Sequence, residues 1–284
     1  MIKGSSLYFG IIGDPVKHSA SPFLHNEGFK LHNLDFFYHA IHADYKDLKL
    51  VTDALKLLNY KGFNVTVPFK EKIIPLLDKV HPCAKSMEAV NTVINNKGSL
   101  EGYNTDGLGF QLFLKEEKIK IKNKKICILG AGGSAKAIAK TLVNSDISKL
   151  SVVNRSLENA YNLTRLLKIN NQKSEIETIT FNDSNFYKTL SQSDIIIQTT
   201  PIGMTPNSNA SLINSDEVFN ENQTLIDIIY SPKKTKLMKL ASQKNCKVHN
   251  GLGMLAGQGV LCFKLFTQKS IAYQFYKNIL TTCL

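Results

Sequence analysis

Tryptophan is absent from the 284 residues, and only two arginines, Arg155 and Arg165, stand among 35 basic residues. Lysine carries almost all the positive charge, and no arginine patch or nucleic-acid motif accompanies it. The formal excess of +12 is therefore read as solvated lysine faces whose field also attracts small anions. No nucleic-acid partner is expected. Cysteine is sparse: Cys83, Cys127, Cys246, Cys262 and Cys283 are scattered, with no CxxC pair and no Cys/His cluster. That excludes a disulfide framework and a zinc site, and no metal is expected. No apolar run approaches the ~20 residues that span a bilayer. The opening Met-Ile-Lys-Gly-Ser-Ser lacks the apolar core of a signal peptide. The expectation is a cytoplasmic protein with no membrane partner, monomeric or homodimeric. Internal repeats and low-complexity tracts are also missing.

With 43% apolar and 20% charged residues, the chain can bury a sizeable core. Short apolar runs alternate with helical patterns. Strands are predicted at 8–12, 36–41 and 63–67, with helices at 22–31 and 47–58 between them. A hairpin is expected from 90–94 and 100–103 around Asn95-Asn96-Lys97-Gly98. The alternation becomes more regular after the charged stretch 115–125. Strands are predicted at 125–129, 150–153, 176–181, 194–199, 225–229 and 247–249, and helices at 134–143, 157–168 and 234–244. Such spacing implies right-handed βαβ units and a parallel sheet. The fold class is α/β with two domains. One is an N-terminal α/β substrate domain, 1–105, completed by the helical segment 251–284. The other is a Rossmann-like, doubly wound parallel-sheet domain, 106–250.

Gly130-Ala131-Gly132-Gly133-Ser134-Ala135 follows an apolar strand and opens a helix. Glycines there allow a tight turn and close backbone approach to a pyrophosphate at the helix N-terminus. The next strand ends in Asn154-Arg155-Ser156. An NAD site usually has Asp or Glu at this tip, about 20 residues on, for the ribose 2′-hydroxyl. Here all three residues can donate to a 2′-phosphate, and one of the two arginines is among them. Arginine binds phosphate bidentately where lysine acts more as a point charge. The cofactor expected is NADP(H).

The N-terminal half carries polar side chains that folding alone does not require. Ser19 and Ser21 are two residues apart and can face one way to grip a carboxylate, with Ser21 also suited to cap the helix that starts at Pro22. In Asn64-Val65-Thr66-Val67-Pro68-Phe69-Lys70, period two places Asn64 and Thr66 on one strand face. Asn91-Thr92 and Asn104-Thr105-Asp106-Gly107 add amides, hydroxyls and a carboxylate near strand ends. Together they suggest a site for a polyol.

These segments in combination resemble the shikimate dehydrogenase family. The resemblance runs from Gly13 to Gln258 and rests on His18-Ser19-Ala20-Ser21-Pro22 with His25-Asn26, Asn64–Lys70, Ala89-Val90-Asn91-Thr92 and Tyr103–Gly107. It continues through Gly130–Ala135, Asn154–Ser156, Thr199-Thr200-Pro201-Ile202-Gly203-Met204, Asp227-Ile228-Ile229-Tyr230-Ser231-Pro232 and Gly251–Leu255 ahead of Gln258. It implies reduction of 3-dehydroshikimate to shikimate with NADPH, in the pathway to aromatic amino acids. By that resemblance Ser19 and Ser21 hold the substrate carboxylate. Asn64, Thr66, Asn91, Asp106 and Gln258 bind its hydroxyls, and Tyr230 closes the site. Lys70 is the catalytic acid–base group, oriented by Asp106. Thr199, Ile228 and Gly251 join the glycine turn and the Arg155 tip as cofactor residues. Two positions depart from the family pattern: Glu88 stands where glycine is common, and Gln198 where asparagine is common. A quinate/shikimate dehydrogenase with broader cofactor use and a non-catalytic NADPH-binding sensor are the alternatives. Retention of both Lys70 and Asp106 speaks against the sensor.

Overall fold

Alternating apolar runs and amphipathic stretches settle into two compact units. A computed structural model describes residues 3–169 and 173–283. The described residues of Met1–Gly109 and Ala256–Cys283 form one unit, and Phe110–Leu255 form the other.

The first unit contains β1 (Leu7–Gly13), α1 (Ser21–Leu31), β2 (Phe36–His42), α2 (Leu48–Leu57), β3 (Gly62–Val65), β4 (Lys79–Val80), α3 (Pro82–Met87), β5 (Thr92–Asn96) and β6 (Ser99–Tyr103). Its sheet has the order β2-β1-β3-β5-β6-β4. β1 pairs parallel with both β2 and β3, whereas the β5–β6 hairpin runs antiparallel. The hairpin turns on Lys97 and Gly98, both at positive φ, with Gly98 N–H donating to Asn95 Oδ1 at 2.8 Å. One face of the sheet is packed by Ile12, Leu48, Leu55, Phe63, Val65 and Phe69. On the other, Phe9 meets Phe29 of α1 and Phe266 from the C-terminal part of the chain.

α4 (Asp106–Glu116) leads into the second unit, whose strands and helices alternate: β7 (Lys125–Leu129), α5 (Gly133–Val143), β8 (Lys149–Asn154), α6 (Leu157–Lys168), β9 (Glu175–Thr180), α7 (Phe186–Gln192), β10 (Ile195–Gln198), β11 (Thr224–Asp227), α8 (Lys236–Gln243) and β12 (Lys247–His249). The sheet order is β12-β11-β10-β7-β8-β9, parallel throughout. Ile126 and Ile128 of β7 pack with α5 and α6, while Cys127 and Leu129 pack with α7 and α8. Both faces are thus covered, which is why these strands read as continuous apolar runs. The order reverses between β7 and β10, the topological switch point of a doubly wound sheet.

α9 (Leu252–Thr267) and α10 (Tyr273–Cys283) end the chain. The unit boundaries fall inside α4 and α9, after Gly109 and Leu255, where the sequence reading places them at 105/106 and 250/251. The reason is packing: Phe110, Phe113 and Met254 are buried in the core of the second unit. Within the first unit α4 and α9 touch backbone to backbone. A Cβ on Gly109 would lie 2.4 Å from the Gln258 nitrogen, and one on Gly257 would lie 2.2 Å from the Gly109 carbonyl oxygen.

Two local expectations differ from the structure. The N-cap of α1 is Ala20, not Ser21, and it makes no side-chain cap bond. Ser19 supplies a cap-like contact instead, its Oγ accepting from Ser21 N–H at 3.3 Å. β3 stops at Val65, so Thr66 lies past the strand, its amide donating to the Ile12 carbonyl at 2.9 Å. Glu88 is accommodated as the left-handed C-cap of α3, at φ 48°.

His25 of α1 is wholly buried, stacked on Tyr38 at 4.7 Å, and neither ring nitrogen has a hydrogen-bond partner among the described residues. Burial pushes its pKa down to about 3. The ring is neutral in the fold and takes a proton once the chain unfolds. Its stabilising effect is complete above about pH 6.5 and is lost as pH falls toward 3. Urea unfolding at pH 7 and pH 5 should show about 2 kcal/mol lost to this one residue in the parent chain. His25→Phe should remove that part of the acid sensitivity; equal losses in the two proteins would refute the assignment.

Candidate active site

Phe69 is buried beneath the turn that follows β3, and Val90 N–H donates to the Lys70 carbonyl at 2.8 Å. These anchors hold Lys70 while its ammonium reaches the start of α4. There Lys70 Nζ donates to Asp106 Oδ2 at 2.5 Å, with side-chain exposures of 13% and 6%. Asp106 begins α4, and its own amide donates to Asn104 Oδ1 at 2.9 Å.

The other oxygen of Asp106 is met from the sheet. Asn91 Nδ2 donates to Asp106 Oδ1 at 2.8 Å and to Thr105 Oγ1 at 3.0 Å. Asn91 Oδ1 accepts from the Thr92 hydroxyl at 3.0 Å and the Thr105 amide at 2.8 Å. Asn64 Nδ2 donates to the Asn91 carbonyl at 2.9 Å and to Thr92 Oγ1 at 3.0 Å. Asn64 Oδ1 accepts from the Tyr38 hydroxyl at 2.6 Å. Gln258 joins through Thr105 Oγ1, which donates to its Oε1 at 3.5 Å. The close crossing of α4 and α9 brings Gln258 here.

Lys70, Asp106, Asn91, Asn64 and Gln258 therefore share one buried network. Ser21 is buried at the start of α1, with Ser19 Oγ against its amide. Thr66 is half-buried beside Gly13 and makes no side-chain hydrogen bond to a described residue. Tyr38, Thr92, Thr105 and Cys262 are network members that the sequence reading did not name as site residues. Thr92 and Thr105 sit inside quoted motifs, so adjacency could have found them. Tyr38 and Cys262 carry no local signal. Burial pushes the Cys262 thiol up to about 12, so it stays a neutral contact for Asn64, 3.2 Å from Nδ2. No group of His, Cys, Asp and Glu able to hold a metal is found among the described residues, and none of their helices is long and apolar enough to cross a membrane.

In the second unit the glycine turn leaves β7 at the switch point. Gly130 is at φ 117°, and a Cβ there would lie 2.4 Å from Thr199 Oγ1. Thr199 follows β10 and donates its hydroxyl to the Leu129 carbonyl at 2.8 Å. Gly132 is the N-cap of α5, and a Cβ on it would meet nothing within 4 Å. Ala131 and Ala135 are buried, while Gly133 and Ser134 are half-buried in the first turn. At the tip of β8, Asn154 Nδ2 donates to the Ser156 carbonyl at 3.0 Å, and Ser156 Oγ caps α6 by accepting from Asn159 N–H. Arg155 between them is exposed and bonds to no described residue. Buried Gln198 folds the loop after β10, donating to Thr200 Oγ1 and the Ile202 carbonyl and accepting from the Thr200 amide.

The segment bearing Ile228 and Tyr230 is clamped by Asp227. Its carboxylate accepts from Thr235 Oγ1 at 2.7 Å and the Ile229 amide at 3.1 Å, and burial pushes its pKa up to about 6. Gly251 N–H donates to the Ile229 carbonyl at 2.9 Å. A side chain at Gly251 would strike the Ile228 carbonyl.

A doubly wound parallel sheet with a glycine turn at its switch point, in a chain that also holds a buried lysine–aspartate pair, defines a dinucleotide-binding oxidoreductase. The family described as shikimate dehydrogenase substrate binding domain matches residues 11–93, and that described as shikimate/quinate 5-dehydrogenase matches residues 113–235. The chain belongs to the shikimate dehydrogenase family. It is 41% identical over 282 residues to the NADP(+) shikimate dehydrogenase of Methanosphaera stadtmanae, covering 98% of this chain and 97% of that one. A crystal structure of a shikimate dehydrogenase in complex with NADP+ is similar at TM-score 0.91 and 38% identity, over 99% of this chain and 97% of that one. A second, from Listeria monocytogenes in complex with shikimate and NAD, is similar at TM-score 0.87 and 34% identity, over 98% of each chain.

The two turn glycines should behave differently. Gly130→Ala puts a side chain in the left-handed region and against Thr199, and should cost about 1–3 kcal/mol. Gly132→Ala should leave stability within about 0.5 kcal/mol. Thermal unfolding of the two variants checks this, and equal losses would refute the contrast.

Proposed function

We propose that the chain catalyses the reversible NADPH-dependent reduction of 3-dehydroshikimate to shikimate, the reaction its family contributes to aromatic amino acid biosynthesis. The observation that carries this reading is the Lys70–Asp106 pair joined to the Asn64–Asn91 network.

The glycine turn suits a dinucleotide. Gly132 leaves the backbone bare at the N-terminus of α5, where amide groups and the helix dipole favour a pyrophosphate. We assign Gly130–Ala135, Thr199, Ile228 and Gly251 to that ligand. Arg155, exposed with no carboxylate beside it in the tip sequence, is the group for a 2′-phosphate, flanked by Asn154 and Ser156. The chemistry supplied by bound NADPH is hydride transfer to the C3 carbonyl carbon.

The protein's own part is the proton. As negative charge develops on the C3 oxygen, Lys70 Nζ gives it a proton, supplying charge and hydrogen together. Asp106 holds that ammonium and accepts a hydrogen bond from a neighbouring substrate hydroxyl. Asn91 has its amide engaged on both sides, and its main work is to orient Asp106. Asn64, Thr66 and Gln258 are the groups for the remaining hydroxyls. Ser19 and Ser21 donate to the carboxylate.

Lys70→Ala should lower kcat by about 10²–10⁴-fold with little change in the KM for shikimate. A loss confined to KM would make Lys70 a binding residue instead. Absorbance of NADPH, followed with shikimate or quinate and with NADP+ or NAD+, tests the whole reading. Turnover with shikimate and NADP+ is expected. Comparable rates with quinate or NAD+ would favour the broader dehydrogenase. In the same assay Arg155→Asp should shift preference toward NAD+, and an unchanged preference would remove Arg155 from the cofactor site.

A further inference from the structure

Tyr38 lies in β2, away from every motif that marks the site, yet it is held at each level. Its backbone is clamped by one side chain: Asn26 Nδ2 donates to the Tyr38 carbonyl at 2.7 Å, and the Tyr38 amide donates to Asn26 Oδ1 at 2.9 Å. Its ring is 1% exposed, stacked on the imidazole of His25 at 4.7 Å, with the ring of Phe266 6.3 Å away. Its hydroxyl donates to Asn64 Oδ1 at 2.6 Å.

The donors then run in one direction. Tyr38 gives to Asn64, Asn64 to Thr92, Thr92 to Asn91, and Asn91 to Asp106. An asparagine amide can be turned end for end at little steric cost, so its direction is set by its partners. Asn64 Nδ2 faces two acceptors, the Asn91 carbonyl and Thr92 Oγ1. Tyr38 supplies the complementary donor on the Oδ1 side.

We propose that Tyr38 is a positioning residue for the substrate site, fixing the direction of the Asn64 amide and thereby of the hydroxyl-binding groups that Asn64 meets. This rests on the shikimate dehydrogenase reading given above. Tyr38 touches no reacting atom. Among the described residues the only other contact on that side is the Cys262 thiol, a weaker donor, 3.4 Å from Asn64 Oδ1.

The test is Tyr38→Phe, assayed with shikimate and NADP+ alongside the parent chain. Loss of the donor should raise the KM for shikimate about tenfold. The KM for NADP+ should stay unchanged and kcat should change far less. A merely structural tyrosine would disturb all three together. The double variant Tyr38→Phe/Asn64→Ala leaves no unpaired acceptor and serves if the single variant is recovered unfolded. Its KM for shikimate should equal that of Asn64→Ala alone. An unchanged KM in Tyr38→Phe, or additive effects in the double variant, overturns the inference while leaving the activity standing. Absence of turnover in the parent chain overturns the underlying reading and this inference with it.

Discussion

A carboxylate taken out of water must be met by donors, and Asp106 is met from two sides. Lys70 approaches one oxygen and Asn91 the other. Everything that supports Asn91 thereby supports the acid–base pair. Asn91 itself is placed by Thr92, Thr105 and the Asn64 amide, so β3, β5 and the loop into α4 must be in register for the pair to exist. Such a network is sensitive because an unmatched polar group in its interior costs more than a made bond contributes. It also explains the density of asparagine and threonine at strand ends: each offers a donor and an acceptor on a short, stiff stem.

The second unit solves a different problem, that of presenting bare backbone at a fixed place. Parallel strands buried on both faces hold β7 and β10 side by side, and the chain leaves them at the one point where neighbouring connections diverge. Gly130 and Thr199 lock that edge together. Gln198 shapes the loop beyond β10 with three hydrogen bonds. Asp227 does similar work after β11, tying two ends of a loop to one carboxylate.

Much of this was legible in the sequence, and the reasons differ by feature. The strands of the second unit stand out because burial on both faces demands unbroken apolar runs, and the glycine turn because Gly130, at φ 117° against Thr199, tolerates no side chain. Lys70 and Asp106 were recognisable within motifs. What could not be read was mostly non-local. Tyr38 and Cys262 look like core residues, and only the fold brings them to Asn64. Ser21 looked like a helix cap because serine before proline usually is one, but the cap position falls on Ala20 and Ser21 is already inside α1. The short helices α3 and α7, of six and seven residues, are too brief for periodicity to declare itself.

The crossing of α4 and α9 limits how this chain can vary. Where two helices meet through side chains, a bulky change on one is often offset by a smaller residue on the other. At Gly109 and Gly257 the facing atoms are main-chain atoms, which no substitution can shrink. Neither glycine has a compensating partner within reach of a single amino-acid exchange. The route by which Gln258 is delivered to Thr105 is therefore closed to gradual drift, and it can change only by displacing a whole helix.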